Sequence, residues 1–490
     1  MQWLTVLADE LHSFWPHMVV AGCTMVATVI ASVHLVLYKK DTRAAIGWIA
    51  VIMMVPLVGV VLYTLLGINR VQRRAVSIRG GPRVLKEAAP SHAADNAGLL
   101  AAMGPKAPHL TELERLIGTL TQRPLVRGNH FEQLTGGEVA YPQMLRAIEE
   151  AQTSISLCSY IFDNDRTGRR FADTLAAAVA RGVDVRVMID DIGARYSFPS
   201  IVRSLRKQNV KVARFMPTLV PGWFAYSNLR SHRKILITDG RLGFTGGMNI
   251  RDGHDLSLKP VHPIRDHHFR IEGPVVAQLQ EVFVDDWAFS TGEVLGGEKW
   301  FPDLAPIGQA LARGIATGPD EDADKLRLTL EGALACAETS VIIVTPYFLP
   351  EAPLIAALNI AALRGVEVDI ILPEANNLML VKWASTAQLW QVLQRGCRVW
   401  LSPPPFDHTK LMLVDRGWTL LGSANWDPRS LRLNFEFNVE CYDFALAEKL
   451  HHWACEKRAQ ARPVTLADVD GRRLPIRLRD GIARLLTPYL

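Results

Sequence analysis

The stretch SHRKILITDGRLGFTGGMN at residues 231–249 returns in altered form as DHTKLMLVDRGWTLLGSAN at residues 407–425. Both copies fit H-x-K-x4-D-x6-G-[GS]-x-N with identical spacing, although most of the intervening side chains differ. The repeated positions are His232, Lys234, Asp239, Gly246, Gly247 and Asn249 in the first copy, and His408, Lys410, Asp415, Gly422, Ser423 and Asn425 in the second. A pattern of this length, kept twice, predicts two similar halves that each supply the same side chains to one site.

These residue types are suited to holding and transferring a phosphodiester. In H-x-K the two side chains lie two residues apart, so on a strand they point to the same face. The apolar runs KILITD and KLMLVD predict that this strand is buried. Lysine ammonium and asparagine amide groups can donate to phosphate oxygens, and the glycines permit close backbone approach. One imidazole can attack phosphorus while the other protonates the leaving alkoxide, which requires that one starts neutral and the other charged.

The rest of the chain is also duplicated around the two copies. SISLCSYIF, a helical run and RGVDVRVMIDD precede the first copy, whereas SVIIVTPYF, a helical run and RGVEVDIILPE precede the second. A further helix and strand (NVKVARFM, then CRVWLSP) follow in each case. Strands that alternate with helices predict α/β units on a largely parallel sheet. We expect two α/β sandwich halves, at residues 109–310 and 311–490, related by a pseudo-twofold axis.

Two apolar stretches near the N-terminus predict a membrane hairpin. Residues 15–38 and 44–67 contain no Asp, Glu, Lys or Arg, and each is long enough to cross a hydrocarbon core of about 30 Å. A cleaved signal peptide would need a basic segment first, but Asp9 and Glu10 precede the first stretch and no Lys or Arg does. The alternative is a buried pair of soluble helices. Residues 1–67 are therefore predicted to be the hairpin, and residues 68–108, rich in Gly, Pro, Ala and Arg, a juxtamembrane linker.

The distribution of basic residues bears on the orientation of this hairpin. Lys39, Lys40 and Arg43 lie between the two stretches, and five arginines follow the second, at positions 70, 73, 74, 79 and 83. Positive charge favours the cytoplasmic side, yet two full crossings would place these groups on opposite sides. The larger cluster predicts a multi-pass protein with a cytoplasmic catalytic body. A shallow hairpin that does not cross fully would remove the conflict.

Composition agrees with a folded, membrane-associated protein. The 490 residues are 49% hydrophobic and 21% charged, with a net charge of +5, which suits an anionic bilayer surface or a nucleic acid equally. The six cysteines are scattered without a C-x2-C pair, so neither a zinc ribbon nor a disulfide framework is indicated. A mostly reduced body fits this pattern.

The doubled motif resembles the signature of the phospholipase D superfamily, and its surroundings resemble bacterial cardiolipin synthases. The stretches that carry the likeness are RSHRKILITDGRLGFTGGMNIRDG, IRDHHFRIEGPVV with VFVDDW after it, and FDHTKLMLVDRGWTLLGSANWDPRSLRLNFEFN. The chain departs from the family pattern at Ile264, where many synthases have an aromatic residue, and in the Ile-Arg-Asp-Gly-His sequence after Asn249.

The resemblance implies an activity and a set of roles. A cardiolipin synthase transfers a phosphatidyl group between two phosphatidylglycerol molecules, giving cardiolipin and glycerol through a phosphatidyl-histidine, without metal or cofactor. His232 would attack and His408 would act as acid and then base; spacing alone cannot decide between them. The phosphate would be held by Lys234, Lys410, Asn249, Asn425, Gly247 and Ser423, while Asp266 and Glu436 would orient the histidines. Asp239 and Asp415 belong to the catalytic motifs but often support the architecture. A structural ion pair of either orienting carboxylate with Arg265 or Arg432 is the alternative.

Several functions remain open at this stage. A phospholipase D hydrolase would use water as acceptor, and another transferase would use phosphatidylethanolamine as donor. A nuclease would have no reason for two apolar stretches, so no nucleic acid is expected, and an inactive scaffold would not need both histidines. The donor lipid, the acyl preference, the final topology and the oligomeric state, for which an oligomer is possible, stay undetermined.

Two flanking segments have two readings each. Trp223, Phe224 and Tyr226, within residues 216–229, would either dip into lipid near the site or belong to the core. The C-terminal stretch at residues 472–490 mixes arginine with leucine and isoleucine, and would either lie on anionic membrane or pack onto the body.

Overall fold

A computed structural model describes residues 2–39, 42–67, 92–94, 96–104, 108–217, 229–319 and 324–487. The described residues divide into an N-terminal unit, up to residue 67, and a larger unit from residue 92 onward. Most of the predicted linker at residues 68–108 lies outside the described residues, as does the aromatic segment with Trp223, Phe224 and Tyr226.

The N-terminal unit is helical. Its elements are α1 (Gln2–Tyr38), α2 (Thr42–Met54), α3 (Pro56–Leu62) and a π-helical turn (Tyr63–Gly67). Within α1, residues His17–Tyr38 are long and apolar enough to cross a membrane by length and composition, and only 17% of their most apolar window is buried. That exposure argues against a buried pair of soluble helices.

The second apolar stretch differs from the single continuous helix that the sequence predicts. The helix stops at Val55, whose φ of −137° and ψ of 74° are not helical, and restarts at Pro56. Proline disfavours the helical conformation in the residue before it and has no N–H to donate, which explains the position of the break.

The larger unit contains one long sheet. The strands of its first half are β1 (Leu125–Thr135), β2 (Ser154–Ser159), β3 (Asp184–Asp190), β4 (Lys211–Phe215), β5 (Ile235–Thr238), β6 (Leu242–Gly246) and β7 (His267–Glu272). Those of the second half are β8 (Ala310–Thr317), β9 (Ser340–Val344), β10 (Glu367–Pro373), β11 (Arg398–Ser402), β12 (Leu411–Val414), β13 (Trp418–Gly422), β14 (Glu436–Tyr442) and β15 (Arg462–Val464). Two-residue strands occur at Ala93–Ala94, Ile264–Arg265 and Phe406–Asp407.

The strand order shows the duplication directly. Across the sheet it is β15-β11-β10-β9-β12-β13-β14-β8-β1-β7-β6-β5-β2-β3-β4, so the two halves repeat one order outward from an antiparallel β8–β1 pair. The prediction of a largely parallel sheet is wrong: β2, β3 and β4 pair in parallel, but β2–β5, β5–β6 and β6–β7 are antiparallel. The H-x-K strand continues into its neighbour through a short turn at Asp239 and Gly240, and only antiparallel strands can be joined so tightly.

Helices cover both faces of the sheet. They are α4 (Asn96–Met103), α5 (His109–Thr121), α6 (Gly137–Glu150), α7 (Arg166–Ala180), α8 (Ile201–Lys207), α9 (Val275–Thr291), α10 (Lys325–Cys336), α11 (Ala352–Leu363), α12 (Met379–Thr386), α13 (Trp390–Leu393), α14 (Pro428–Arg432), α15 (Phe444–Ala459), α16 (Leu466–Asp470) and α17 (Leu474–Leu485). One buried apolar cluster joins the halves, because it contains Phe283 of α9, Leu450 of α15, Ile235 of β5 and Leu411 of β12. The body is therefore a sandwich whose central core belongs to both halves.

The C-terminal helix α17 packs onto the body by only one of its faces, so packing alone does not account for the whole segment. Ala483 packs against Val381 and Ala384 of α12, while Leu474 and Leu485 are 76% and 72% exposed. The helix is thus attached to the body by one face and leaves the other face apolar and uncovered.

Candidate active site

The two motif histidines meet in the middle of the large unit. The His232 and His408 rings lie with their centroids 6.5 Å apart and nearly perpendicular, at 84°. Each residue is only 8% exposed, so both imidazoles sit in a narrow recess between the halves. One imidazole from each half is therefore available to a single small group.

Short stretches of crossed backbone pairing produce this meeting. The His232 N–H donates to the Phe435 carbonyl at 2.9 Å, and the Phe435 N–H donates to the Arg230 carbonyl at 2.8 Å. In the other half, the His408 N–H donates to the Arg265 carbonyl at 2.7 Å. The residue before each carboxylate thus pairs with the opposite half's histidine segment.

Each histidine is consequently held by the carboxylate of the other half. His232 Nδ1 lies 3.0 Å from both oxygens of Glu436, and His408 Nδ1 lies 2.8 Å from Asp266 Oδ2. With Nδ1–H donating to a carboxylate, Nε2 of each ring is left for chemistry. The alternative ion pair with Arg432 does not form, because Arg432 donates to Glu351 at 2.5 Å.

The two carboxylates differ in their surroundings. Glu436 also accepts from Ser423 Oγ at 2.6 Å and Asn434 Nδ2 at 3.2 Å, whereas Asp266 accepts additionally from the His267 N–H at 2.7 Å. Burial alone would raise the pKa of Glu436, but His232 and the other neighbours outweigh it and hold the pKa below its ordinary value. Burial raises the pKa of Asp266 to about 6. Glu436 is the firmer negative charge of the pair.

The pKa values of both histidines and both lysines are lowered. Burial lowers the pKa of His232, although Glu436 opposes this, and burial with the two lysines lowers the pKa of His408 well below its ordinary value. Burial also lowers the pKa of Lys234 to about 7 and that of Lys410 to about 8. A bound anion favours the charged form of each of these groups. The histidines and lysines therefore take up protons more readily when a phosphodiester is bound.

The lysines are anchored by their own motif. Lys234 Nζ donates to the His232 carbonyl at 2.6 Å, and Lys410 Nζ donates in the same way to the His408 carbonyl. Lys234 also lies 5.6 Å from the centre of the Tyr160 ring. Each ammonium is therefore fixed beside the histidine that it accompanies, with further N–H donors for a ligand.

The asparagines fit the predicted phosphate-binding role by position. Asn249 Oδ1 accepts from the Ile161 N–H at 3.1 Å, which leaves its Nδ2 as a donor. Asn425 lines a small cavity together with Lys410 and Trp426. Both asparagines are buried, at 5% exposed, and Asn425 also hydrogen-bonds to the Asp427 carboxylate.

Gly247 and Ser423, which the sequence predicts to hold the phosphate, lie against the two carboxylates, and their part in phosphate binding stays a prediction. Ser423 is fully buried and its hydroxyl donates to Glu436. A Cβ at Gly247 would lie 2.2 Å from Asp266 Oδ1, so glycine is needed to make room for that side chain. The two positions are equivalent in the motif, but Ser423 donates a hydrogen bond to Glu436, whereas Gly247 leaves space for the Asp266 side chain.

Asp239 and Asp415 lie at the far ends of their strands, outside the recess, so their placement among the catalytic residues is corrected. Asp239 accepts from the backbone N–H groups of Gln152, Thr153 and Ser154, and Asp415 accepts equivalently from Glu338, Thr339 and Ser340. Both residues have positive φ, 53° and 50°. They tie the turn after each H-x-K strand to the start of the neighbouring strand.

Several rings beside the two histidines were missed from the sequence, among them Phe406, whose ring centroid lies 5.8 Å from that of His408. Tyr160 and Tyr347 contact His232 and His408 with ring centroids 5.2 Å and 6.2 Å apart, and His254 lies 6.2 Å from His408. Tyr160 is the seventh residue of SISLCSYIF, whereas Tyr347 is the eighth residue of SVIIVTPYF, so the repeat does not align the two tyrosines. Burial lowers the pKa of His254 to about 3, so that ring is neutral. No repeat marks His254, since Ser430 stands at the corresponding place after Asn425.

Comparisons with known proteins agree with this geometry. Residues 144–287 and 330–456 match the family model described as cardiolipin synthase, PLD-like domain, and residues 26–67 match a phospholipase D-nuclease N-terminal model. The chain is 30% identical over 457 residues to the major cardiolipin synthase ClsA of Bacillus subtilis (strain 168), covering 92% of this chain and 95% of that protein. It is 31% identical over 479 residues to cardiolipin synthase A of Pseudomonas putida (strain GB-1), covering 94% and 96%.

The fold is also found among solved structures. The phosphatidylserine synthase of Haemophilus influenzae Rd KW20 superimposes with a TM-score of 0.58, covering 77% of this chain and all of that one at 16% identity. At that identity the likeness establishes the shared architecture of two similar halves.

Proposed function

The chain belongs to the family of cardiolipin synthases with phospholipase D-like domains, and from that premise we propose that it condenses two phosphatidylglycerol molecules through a phosphatidyl-histidine. As a cardiolipin synthase it is a phosphatidyltransferase, which releases glycerol when cardiolipin forms. The observation that carries the proposed mechanism is the pair of imidazoles 6.5 Å apart, each held through Nδ1 by the carboxylate of the opposite half.

In the first step, His232 Nε2 attacks the phosphorus of one phosphatidylglycerol. A P–N bond forms, the P–O bond to the glycerol headgroup breaks, and His408 gives the leaving oxygen its proton. His232 is the better nucleophile because Glu436, the firmer negative charge, stabilises the positive ring that develops as the bond forms. This electrostatic difference supports the choice between two otherwise similar halves.

In the second step, the chemistry runs in reverse with a new alcohol. The free hydroxyl of a second phosphatidylglycerol enters, and His408, now neutral, removes its proton. The new P–O bond forms as the P–N bond breaks, which returns His232 to its starting state. Lys234, Lys410 and the two asparagines donate to the phosphorane oxygens, where charge is greatest in the transition state.

The protonation of His408 depends on the substrate. In the empty recess burial and both lysines hold the pKa of His408 well below its ordinary value. A bound phosphodiester supplies a negative charge that offsets the lysines and favours imidazolium. The acid is therefore generated only when there is a substrate to protonate.

The location of the protein follows the same proposal. Its relatives and the apolar helix of residues His17–Tyr38 make it a membrane protein. We place the catalytic body at the cytoplasmic face, which the five arginines after residue 67 favour, with phosphatidylglycerol and anionic bilayer lipid as its partners.

The test is product analysis with purified protein. Labelled phosphatidylglycerol should give cardiolipin and glycerol, and both His232→Ala and His408→Ala should abolish them. Phosphatidic acid as the main product would indicate a hydrolase, and ethanolamine release from labelled phosphatidylethanolamine would identify a different donor. Acid-labile label retained on His408→Ala but absent from His232→Ala would identify the nucleophile.

A further inference from the structure

The helical pieces of residues 42–67 double back on themselves. Helix α2 runs to Met54, the chain turns at Val55, and α3 returns along α2. A Cβ on Gly59 would lie 2.5 Å from the Val51 carbonyl oxygen, and the Trp48 and Tyr63 rings lie 5.7 Å apart. In one straight helix, residues 48 and 63 would be about 22 Å apart at 1.5 Å per residue, so the chain has reversed direction.

The segment formed by α3 and the π-helical turn ends close to the residues that precede α2. Tyr63 OH lies 2.9 Å from His34 Nδ1, and Lys39 Nζ donates to the Gly67 carbonyl at 3.0 Å. Lys39 directly follows α1 and precedes α2, so Gly67 is beside the turn that joins those two helices. Ala31, Leu35, Ile52 and Tyr63 form one buried cluster of α1, α2 and the π-helical turn, and Val60 of α3 packs against it.

The lengths agree with partial penetration of a bilayer. The 13 residues of α2 measure about 20 Å, short of the about 30 Å that a crossing requires. Residues His17–Tyr38 number 22 and measure about 33 Å, enough for one crossing. At the turn, Pro56 has no N–H that needs a partner, and the N–H groups of Val55 and Gly59 donate to the carbonyls of Val51 and Val55.

We infer that α1 is the one membrane crossing of the described N-terminal unit, and that residues 42–67 form a re-entrant hairpin whose exposed apolar side chains contact the lipid of a single leaflet. Residue 67 then leaves the bilayer on the side of Lys39. This topology would put eight basic residues of the sequence on one side: Lys39, Lys40, Arg43 and the five arginines after residue 67. This satisfies the charge rule that two crossings violate, and it puts the N-terminus, which has no Lys or Arg before the crossing, on the opposite side.

Thiol labelling of the full chain in its membrane tests the topology directly. In a Cys23→Ser parent, Asp41→Cys and His92→Cys are treated with a membrane-impermeant maleimide, before and after permeabilisation of spheroplasts. Both positions should react only after permeabilisation, at levels above the parent. Reaction of Asp41→Cys from outside, while His92→Cys stays protected, would show two crossings and overturn the inference.

Cross-linking tests the packing independently of topology. A His34→Cys/Tyr63→Cys pair should be joined by a short thiol cross-linker and detected as one cross-linked peptide by mass spectrometry. Gly59→Leu should prevent the link, whereas Gly47→Leu should not, because a Cβ at Gly47 meets nothing within 4 Å. A missing link in the parent pair, or one that survives Gly59→Leu, would contradict the hairpin. Neither experiment uses lipid products, so a wrong reaction assignment leaves this result unaffected.

Discussion

At the scale of single residues, the recess is organised by exchange between the halves. Glu436 hydrogen-bonds to His232, although it follows the motif that contains His408. Asp266 hydrogen-bonds to His408, although it follows the motif that contains His232. The exchange makes the two histidines unequal, because Ser423 and Asn434 support Glu436 while Asp266 has only one further described hydrogen-bond donor, the His267 N–H. A nearly symmetric motif therefore gives its two histidines unequal carboxylate partners, which is the difference that the proposed division into one nucleophile and one acid uses.

Neutralising Glu436 should damage the reaction more than any surface change. Glu436→Gln keeps the shape but removes the charge that stabilises the positive His232 ring, so we expect kcat to fall by about 10³-fold. Steady-state cardiolipin formation in mixed micelles measures it. Arg432→Gln, which alters only the exposed pair with Glu351, is the matched control and should leave kcat unchanged. Equal effects of the two substitutions would refute the role of Glu436.

Asp266 should set the acidic limb of the pH profile. Its pKa of about 6 lies above the ordinary 3.8, so it becomes protonated as the pH falls through about 6, and His408 then loses its negative partner. We expect kcat to decline below that pH. Asp266→Asn should be slower at neutral pH and should lack this limb, as recorded by initial rates between pH 5 and pH 8. An unchanged limb in the variant would assign it to another group.

At the scale of elements, each motif strand has two functional ends. His232 and Lys234 lie just before β5, and Asp239 lies just after it. The Asp239 carboxylate accepts hydrogen bonds from the N–H groups of Thr153, which precedes β2, and Ser154, its first residue. The long spacing from histidine to aspartate is thus a strand length, which explains why it is kept to the residue in both copies. The aspartate holds the strand that presents the histidine.

Removing this link should affect stability more than chemistry. Asp239→Ala loses several backbone hydrogen bonds to a charged acceptor and places alanine at a φ of 53°, so we expect the free energy of unfolding to fall by about 3 kcal/mol. Thermal unfolding of the purified protein measures it. At a temperature where the variant is folded, KM should match that of the wild type, and Asp239→Asn should recover part of the stability, because asparagine tolerates that φ. A large loss of kcat in folded Asp239→Asn would instead place the residue in the reaction.

At the scale of the whole molecule, the site exists because the halves share one sheet and one central core. The β8–β1 pair joins them edge to edge, and α9 and α15 contribute to the same buried cluster. Both histidines and both carboxylates come from one chain, so a complete site needs no second protomer.

Mixing variants tests this arrangement. Co-expressed His232→Ala and His408→Ala chains should remain inactive, because in either chain one imidazole is missing from its recess. Cardiolipin content of a host that lacks its own synthases is the readout. Restored activity would show that halves are exchanged between protomers, so that one recess is built from two chains.

The sequence alone was sufficient for the two halves, the histidine and lysine positions, and the family. These depend on side-chain type at fixed spacing, and a repeated spacing is visible without coordinates. It also located both apolar N-terminal stretches, because hydropathy is a local property. The resemblance also named Asp266 and Glu436, which the structure places beside Nδ1 of His408 and His232.

Only the tertiary structure decided which carboxylate serves which histidine, because crossed pairing such as that of Ser231 with Phe435 joins residues some two hundred positions apart. It placed Asp239 and Asp415 on backbone N–H groups at the far ends of their strands, and Gly247 and Ser423 against the two carboxylates, since a motif residue's neighbours are set by strand direction and not by spacing. It also showed that the second apolar stretch reverses direction at Val55. Hydropathy shows that a stretch is apolar, but the direction of its chain depends here on one non-helical residue before a proline.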